Sequence, residues 1–260
     1  MSHQLPSALE HGKELRDKFQ QEKALLFLDF DGTLAPIVEH HEDAAISEKM
    51  RDLVLRLSKV YPAAVVSGRG MKDVSQRVNI PELYYAGSHG FEISGPGNFL
   101  KENDEAQKVL PTFDEIEPLL HEELSDIAGV DFERKKFTLA IHYRKVKEEM
   151  TDEVHDRVAA SLKDYPDLKK ADGKKVIEIR PSIDWHKGKA VEFLKEQLGE
   201  KDQNYSVYIG DDVTDEDAFK YVQNGLGILV GDHGHQTSAD YSLKNIDEVE
   251  QFFRLLLEKQ

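Results

Sequence analysis

The chain of 260 residues contains no cysteine. Disulfides, thiolate metal sites and cysteine nucleophiles are excluded together, which leaves oxygen and imidazole donors for any metal. Long apolar stretches are missing as well. No segment approaches the ~18 consecutive apolar residues of a membrane span, and the stretch from Met1 to Lys23 lacks the apolar core of a signal peptide. Positive charge is scarce, with 34 Lys and Arg against 50 Asp and Glu and a formal net charge of −16. Affinity for nucleic-acid phosphates comes from clustered Lys and Arg, so no nucleic-acid partner is expected, and neither is a membrane. Hydrophobic residues make up 39% of the chain in distinct runs, which predicts a folded core rather than a disordered acidic chain. The expectation is a soluble cytoplasmic protein, working as a monomer.

The length suits two domains at about 100 to 200 residues each. Three short apolar runs share one design: Ala24 to Phe30 leads into Asp31-Gly32, Ala63 to Val66 into Ser67-Gly68, and Ser206 to Ile209 into Gly210-Asp211. Each predicts a buried strand that ends in a polar, Gly-containing turn. Helical periodicity covers Ser47 to Lys59, Lys187 to Leu198 and Val249 to Leu257. This order predicts an α/β fold with a Rossmann-like parallel sheet covered on both faces, and in such sheets ligands collect at the carboxyl ends of the strands. From about residue 94 to 181 the character changes. A Gly/Pro loop, Ser94-Gly95-Pro96-Gly97, opens a stretch with helical patterns near Phe113 to Ile127 and Lys147 to Leu162 and strand patterns at Phe137 to Tyr143 and Val176 to Ile179. The reading is a core of residues 1–93 and 182–260 with an α+β cap, 94–181, inserted between its halves.

Asp29 and Asp31 lie two residues apart at a strand end, so their carboxylates project to the same side. Two such carboxylates repel, and a hard divalent cation relieves the repulsion. A strand-ending Asp-Gly turn is the ordinary alternative, yet an Asp inside an apolar strand is costly without a partner. Asp211 leaves its strand in the same way, and two such acids at one sheet edge make a magnesium site. Helix capping would equally explain Asp215 to Asp217. Ser67-Gly68-Arg69 offers a hydroxyl, turn amides and a cation to an anion, or is a routine turn. Lys187 starts a helix, where a cation is mildly disfavoured, and alone reads as a solvated lysine.

Taken in order, Asp-x-Asp, Ser, Lys and Gly-Asp-Asp resemble the four motifs of the haloacid dehalogenase superfamily of phosphotransferases. Finer features are similar to the trehalose-6-phosphate phosphatase family: Asp29-Phe30-Asp31-Gly32-Thr33-Leu34, Ser67-Gly68-Arg69, Gly87-Ser88-His89-Gly90-Phe91-Glu92, Glu178-Ile179-Arg180-Pro181, Lys187-Gly188, and Gly210-Asp211-Asp212-Val213-Thr214-Asp215-Glu216-Asp217-Ala218-Phe219. Ser88 departs from the Asn often expected before that His. The resemblance covers nearly the whole chain from about Lys23.

The resemblance implies a Mg2+-dependent phosphatase for a sugar phosphate. Asp29 becomes the nucleophile and Asp31 the acid and base. Ser67 and Lys187 bind the transferring phosphoryl group, with Gly68 and Arg69 beside them. Asp29, Asp31 through its carbonyl, and Asp211 hold the metal, and Asp215 orients metal-bound water. Sugar contacts are expected from His89, Glu92, Lys136, His142, Arg144 and Glu178, with Lys136, Thr138, Ala140, His142 and Arg144 on one strand face. Phosphatases for sucrose phosphate or mannosyl-phosphoglycerate, and a silent phosphosugar-binding module, are the competing readings.

Overall fold

The computed structural model describes residues 5–38, 41–173, 175–199, 205–222, 224–232 and 234–258. Two compact units divide the chain, residues 1–101 with 185–260 and residues 102–184.

The first unit holds an eight-stranded sheet. In chain order its strands are β1 (Leu25–Leu28), β2 (Ala63–Val66), β3 (Tyr84–Gly87), β4 (Glu92–Gly95), β5 (Phe99–Glu102), β10 (Ser206–Gly210), β11 (Leu226–Val230) and β12 (Tyr241–Leu243). In space they run β12-β11-β10-β1-β2-β3-β4-β5. Pairing is parallel from β12 to β3, whereas β4 runs antiparallel to β3. Residues 94–101, placed in the insert by the Gly/Pro loop, belong here, because β4 and β5 extend the edge of the large sheet.

Side chains alternate between two cores, as a pleated strand requires. Leu26, Leu28, Val65, Val207 and Ile209 pack beneath α1 (Gly12–Gln21), α2 (Glu48–Leu57), α3 (Met71–Val78) and α9 (Ile246–Leu256). Leu25, Phe27, Ala64, Val66, Tyr208 and Leu229 meet α7 (Lys187–Leu198) and α8 (Glu216–Tyr221) on the other face. Ser47 starts α2 by accepting from the Met50 amide at 3.0 Å, a standard N-cap.

The second unit is a four-stranded antiparallel sheet, β6-β7-β9-β8, built from β6 (Asp131–Arg134), β7 (Leu139–His142), β8 (Leu168–Gly173) and β9 (Val176–Pro181). Helices α5 (Leu110–Glu123) and α6 (Thr151–Ser161), the former preceded by the short α4 (Asp104–Lys108), bury Phe113, Ile116, Leu120, Val154 and Val158 against Leu139, Ile141, Ile177 and Ile179. Among the described residues no helix is long and apolar enough to cross a membrane.

Candidate active site

Strands β1 and β10 are parallel neighbours, with Leu28 opposite Ile209. The chain leaves both at their carboxyl ends, so Asp29 and Asp211 emerge side by side. The Asp29 amide continues the ladder to the Ile209 carbonyl at 2.9 Å, which fixes its backbone. Gly32 makes the turn possible. Its φ is +83°, and a Cβ there would lie 2.0 Å from Oδ2 of Asp211, so only glycine fits.

Lys187 begins α7 and reaches both acids. Its Nζ lies 2.8 Å from Oδ1 of Asp29 and 2.7 Å from Oδ1 of Asp215. All three are buried, at 3%, 4% and 0% exposure for Lys187, Asp29 and Asp215. The helix start disfavours a cation, but two carboxylates outweigh it. Burial would pull the Lys187 ammonium down, yet Asp215 and Asp29 hold its pKa well above the ordinary value. Burial dominates at Asp29 and lifts it well above the usual carboxylate range against the pull of Lys187. Burial, then Asp215, pushes Asp211 up to about 7.

Asp215 takes four hydrogen bonds. Oδ1 accepts from Lys187 and, at 2.5 Å, from the Tyr208 hydroxyl, while Oδ2 accepts the amides of Asp211 at 3.1 Å and Asp212 at 3.0 Å. That fills the lone pairs of a carboxylate. Asp29, Asp211 and Asp215 each offer an oxygen within 4.8 Å of the others, a grouping suited to a divalent cation. Oδ1 of Asp211 is buried without a hydrogen-bond partner, which makes it the member in need of one.

Ser67 ends β2 and accepts the Arg69 amide at 3.1 Å through its Oγ, which leaves its own O–H available to donate. Arg69 turns to Asp31 and Asp73, at 2.7 and 2.8 Å to the first and 3.0 Å to the second. Behind this loop, Ser88, His89 and Gly90 all have positive φ, at 49°, 57° and 96°. Such conformations persist where surroundings impose them. Here the Ser88 amide donates to the Arg69 carbonyl at 2.6 Å and the His89 amide to the Ser67 carbonyl at 2.9 Å. The His89 ring lies over Gly68, and Ser88 Oγ donates to buried Glu92 at 3.3 Å. His89 and Glu92 thus support the Ser67-Gly68-Arg69 turn within the first unit.

In the second unit, Glu133, Ala140, Glu178 and Ala171 line up across the sheet. Lys135 Nζ stands 3.9 Å from Glu133 and 3.8 Å from Glu178, and His142 Nε2 lies 3.1 Å from Glu133. Of the expected face of Lys136, Thr138, Ala140, His142 and Arg144, the residues Thr138, Ala140 and His142 keep the period-2 register, whereas Lys136 and Arg144 lie outside it. The Lys135 amide donates to the Thr138 carbonyl at 2.8 Å and closes a hairpin turn at Lys136 and Phe137. Lys136 sits in that turn and pairs with Glu102, Thr138 is wholly buried, and Arg144 lies exposed beyond the strand end. Lys135 and Glu133, missed in the sequence because β6 is short and charged, are the groups that accompany Glu178 and His142.

A family model described as Trehalose-phosphatase matches residues 27–247. Trehalose 6-phosphate phosphatase RA3 of Zea mays is 43% identical over 98% of this chain and 75% of its own length. Probable trehalose-phosphate phosphatase E of Arabidopsis thaliana is 44% identical over 97% of this chain and 75% of its own. The solved C-terminal domain of C. albicans trehalose-6-phosphate phosphatase shares the fold at a TM-score of 0.82, with 22% identity and 99% of each chain covered. With the motif residues gathered at the ends of β1, β2 and β10 and at the start of α7, and with this extent of sequence likeness, the chain belongs to the trehalose-phosphatase family.

Proposed function

We propose that this chain hydrolyses trehalose 6-phosphate to trehalose and inorganic phosphate, by way of an aspartyl-phosphate on Asp29. The observation that carries the reading is the buried Lys187, held between Asp29 and Asp215 at the strand end where Asp211 also emerges. A charged lysine in that position lowers the repulsion between an anionic nucleophile and an anionic phosphate.

Lys187 occupies Oδ1 of Asp29, and no donor among the described residues takes Oδ2. The bond from Asp29 to phosphorus forms as the bond from phosphorus to the sugar oxygen breaks, and Asp31 gives that oxygen its proton. Water then attacks phosphorus, Asp31 accepts its proton, and the acyl-phosphate bond breaks to regenerate Asp29. Ser67 donates its hydroxyl to a phosphoryl oxygen.

Mg2+ fits the donor set, which is all hard oxygen and includes the orphaned Oδ1 of Asp211. Asp29, the carbonyl of Asp31 and Asp211 would hold it. When bound, it supplies positive charge to the phosphate and the nucleophile. Asp215, with its lone pairs filled by protein donors, positions the others.

Sugar recognition is assigned to the second unit, to Glu178 and His142 with Lys135 and Glu133 beside them, and to Lys136 and Arg144 near the strand ends. Glu178→Ala should raise KM for trehalose 6-phosphate much more than for p-nitrophenyl phosphate. Equal effects on both would argue against a sugar contact.

The deciding experiment is phosphate release from trehalose 6-phosphate, sucrose 6-phosphate and glucose 6-phosphate, with and without Mg2+, using Asp29→Asn as the blank. Preference for trehalose 6-phosphate, lost in the blank, is the expected result. Equal rates on all three would leave the reaction class standing and remove the substrate.

A further inference from the structure

Tyr208 lies mid-strand in β10, wholly buried between β1 and β11. It pairs in register with Phe27 across the ladder, and its ring meets Phe219 edge-on at 5.6 Å, within an apolar cluster that includes Val191 and Leu194. Those neighbours ask for an aromatic ring and nothing more. Phenylalanine would fill the same volume, and a buried hydroxyl is a liability unless it is bonded.

Among the described residues the hydroxyl has one partner, Oδ1 of Asp215, at 2.5 Å. The same oxygen accepts from Lys187, and Lys187 in turn holds Asp29. Around Lys187 the charges do not cancel, since one ammonium faces two buried carboxylates. Left alone, Asp215 would compete with Asp29 for the ammonium. A second cation at Asp215 would restore neutrality but would also bind any anion that entered. A neutral O–H offsets part of the Asp215 charge without adding a positive one.

We propose that Tyr208 is a positioning residue of the phosphatase site, acting through Asp215 to keep the Lys187 ammonium on Asp29. It touches neither substrate nor metal. Its hydroxyl also completes the four donors on Asp215, which fixes that carboxylate in place. The inference rests on the phosphatase reading for its kinetic consequence and on geometry alone for its spectroscopic one.

Tyr208→Phe tests it in the full chain. Removing the hydroxyl should lower kcat by about tenfold while KM and calorimetric Mg2+ affinity stay within about twofold. The fall should be the same on trehalose 6-phosphate and on p-nitrophenyl phosphate, because Lys187 acts on phosphorus and not on the leaving group. Unchanged kcat overturns the proposal. So does Mg2+ affinity that falls in step with kcat, which would make Asp215 a direct ligand.

A second readout needs no turnover. In 15N NMR of the metal-free protein the protected Lys187 ammonium should shift in Tyr208→Phe, and an unmoved signal overturns the proposal even if no ester is hydrolysed. Should the variant not fold, the unsubstituted protein decides. It must show an exchange-protected tyrosine hydroxyl proton with a nuclear Overhauser contact to that ammonium, and absence of the contact overturns the proposal.

Discussion

Arg69 grips both carboxylate oxygens of Asp31, Nε at 2.7 Å from Oδ2 and Nη2 at 2.8 Å from Oδ1. With its remaining arm on Asp73 and its guanidinium 5.4 Å over the Phe30 ring, Arg69 is committed to this loop. Its position in Ser67-Gly68-Arg69 alone predicts a contact with substrate phosphate. Its place on Asp31, the proposed acid and base, points to a different part, holding that carboxylate in orientation.

Lysine cannot reproduce a two-pronged grip. Arg69→Lys should therefore lower kcat by about tenfold on trehalose 6-phosphate, whose leaving alkoxide needs a proton, and by less on p-nitrophenyl phosphate. Steady-state kinetics on both esters measure the difference. A larger loss on the aryl ester would contradict the assignment.

Lys187→Met leaves Asp29 and Asp215 buried with their cation gone. Breaking a buried pair in this way costs about 3–5 kcal/mol, read as a drop in urea stability without metal. Adding Asp29→Asn to Lys187→Met should recover part of the loss, since one uncompensated acid is removed. A double variant less stable than the single would show that the pair is not the source.

The pH dependence of stability has a definite sign. Burial holds Asp29 above the usual carboxylate range and brings Asp211 up to about 7, whereas unfolded Asp titrates near pH ~4. Between about 4 and about 7 the folded metal-free protein binds more protons than the unfolded chain, so its stability falls as pH rises through that window. A metal requires the ionised forms. The rise in Tm on adding Mg2+ should grow from about pH 5 to about pH 8, and thermal melts with and without the ion test this. A constant rise would count against both groups.

Gly32→Ala forces a methyl into the space of the Asp211 carboxylate and strains a residue at φ +83°. Mg2+ binding by calorimetry should weaken by at least about tenfold, because Asp211 must move. Binding equal to the unsubstituted protein would mean that Asp211 is not needed.

Much of the site could be read from the residues because charge was out of place. Asp29 and Asp211 follow apolar runs, where an acid without a role is expensive, and both lie at the sheet edge. Lys187 gave no such sign, since its partners lie 158 and 28 residues away. Tyr208 was invisible for another reason: tyrosine suits any strand, and only the fold shows its hydroxyl on Asp215. The hairpin turn between β6 and β7 leaves no mark in the sequence, because Lys135 and Lys136 look like strand alternation. The backbone turns at Lys136 and Phe137, which takes Lys136 off the face that Thr138, Ala140 and His142 share.

The sheet order carries a consequence for synthesis. β1 sits between β10 and β2, so one side of it can pair early while the other waits for a segment made about 180 residues later. At about 5 to 20 residues per second, roughly 10 to 40 s pass between the emergence of Leu28 and that of Gly210. For that interval the strand leading to Asp29, the proposed nucleophile, has an open edge and no lysine beside its aspartate. A nascent chain halted before residue 187 should accordingly bind a chaperone or aggregate, and pulse-chase proteolysis of stalled ribosomes would reveal whether it does.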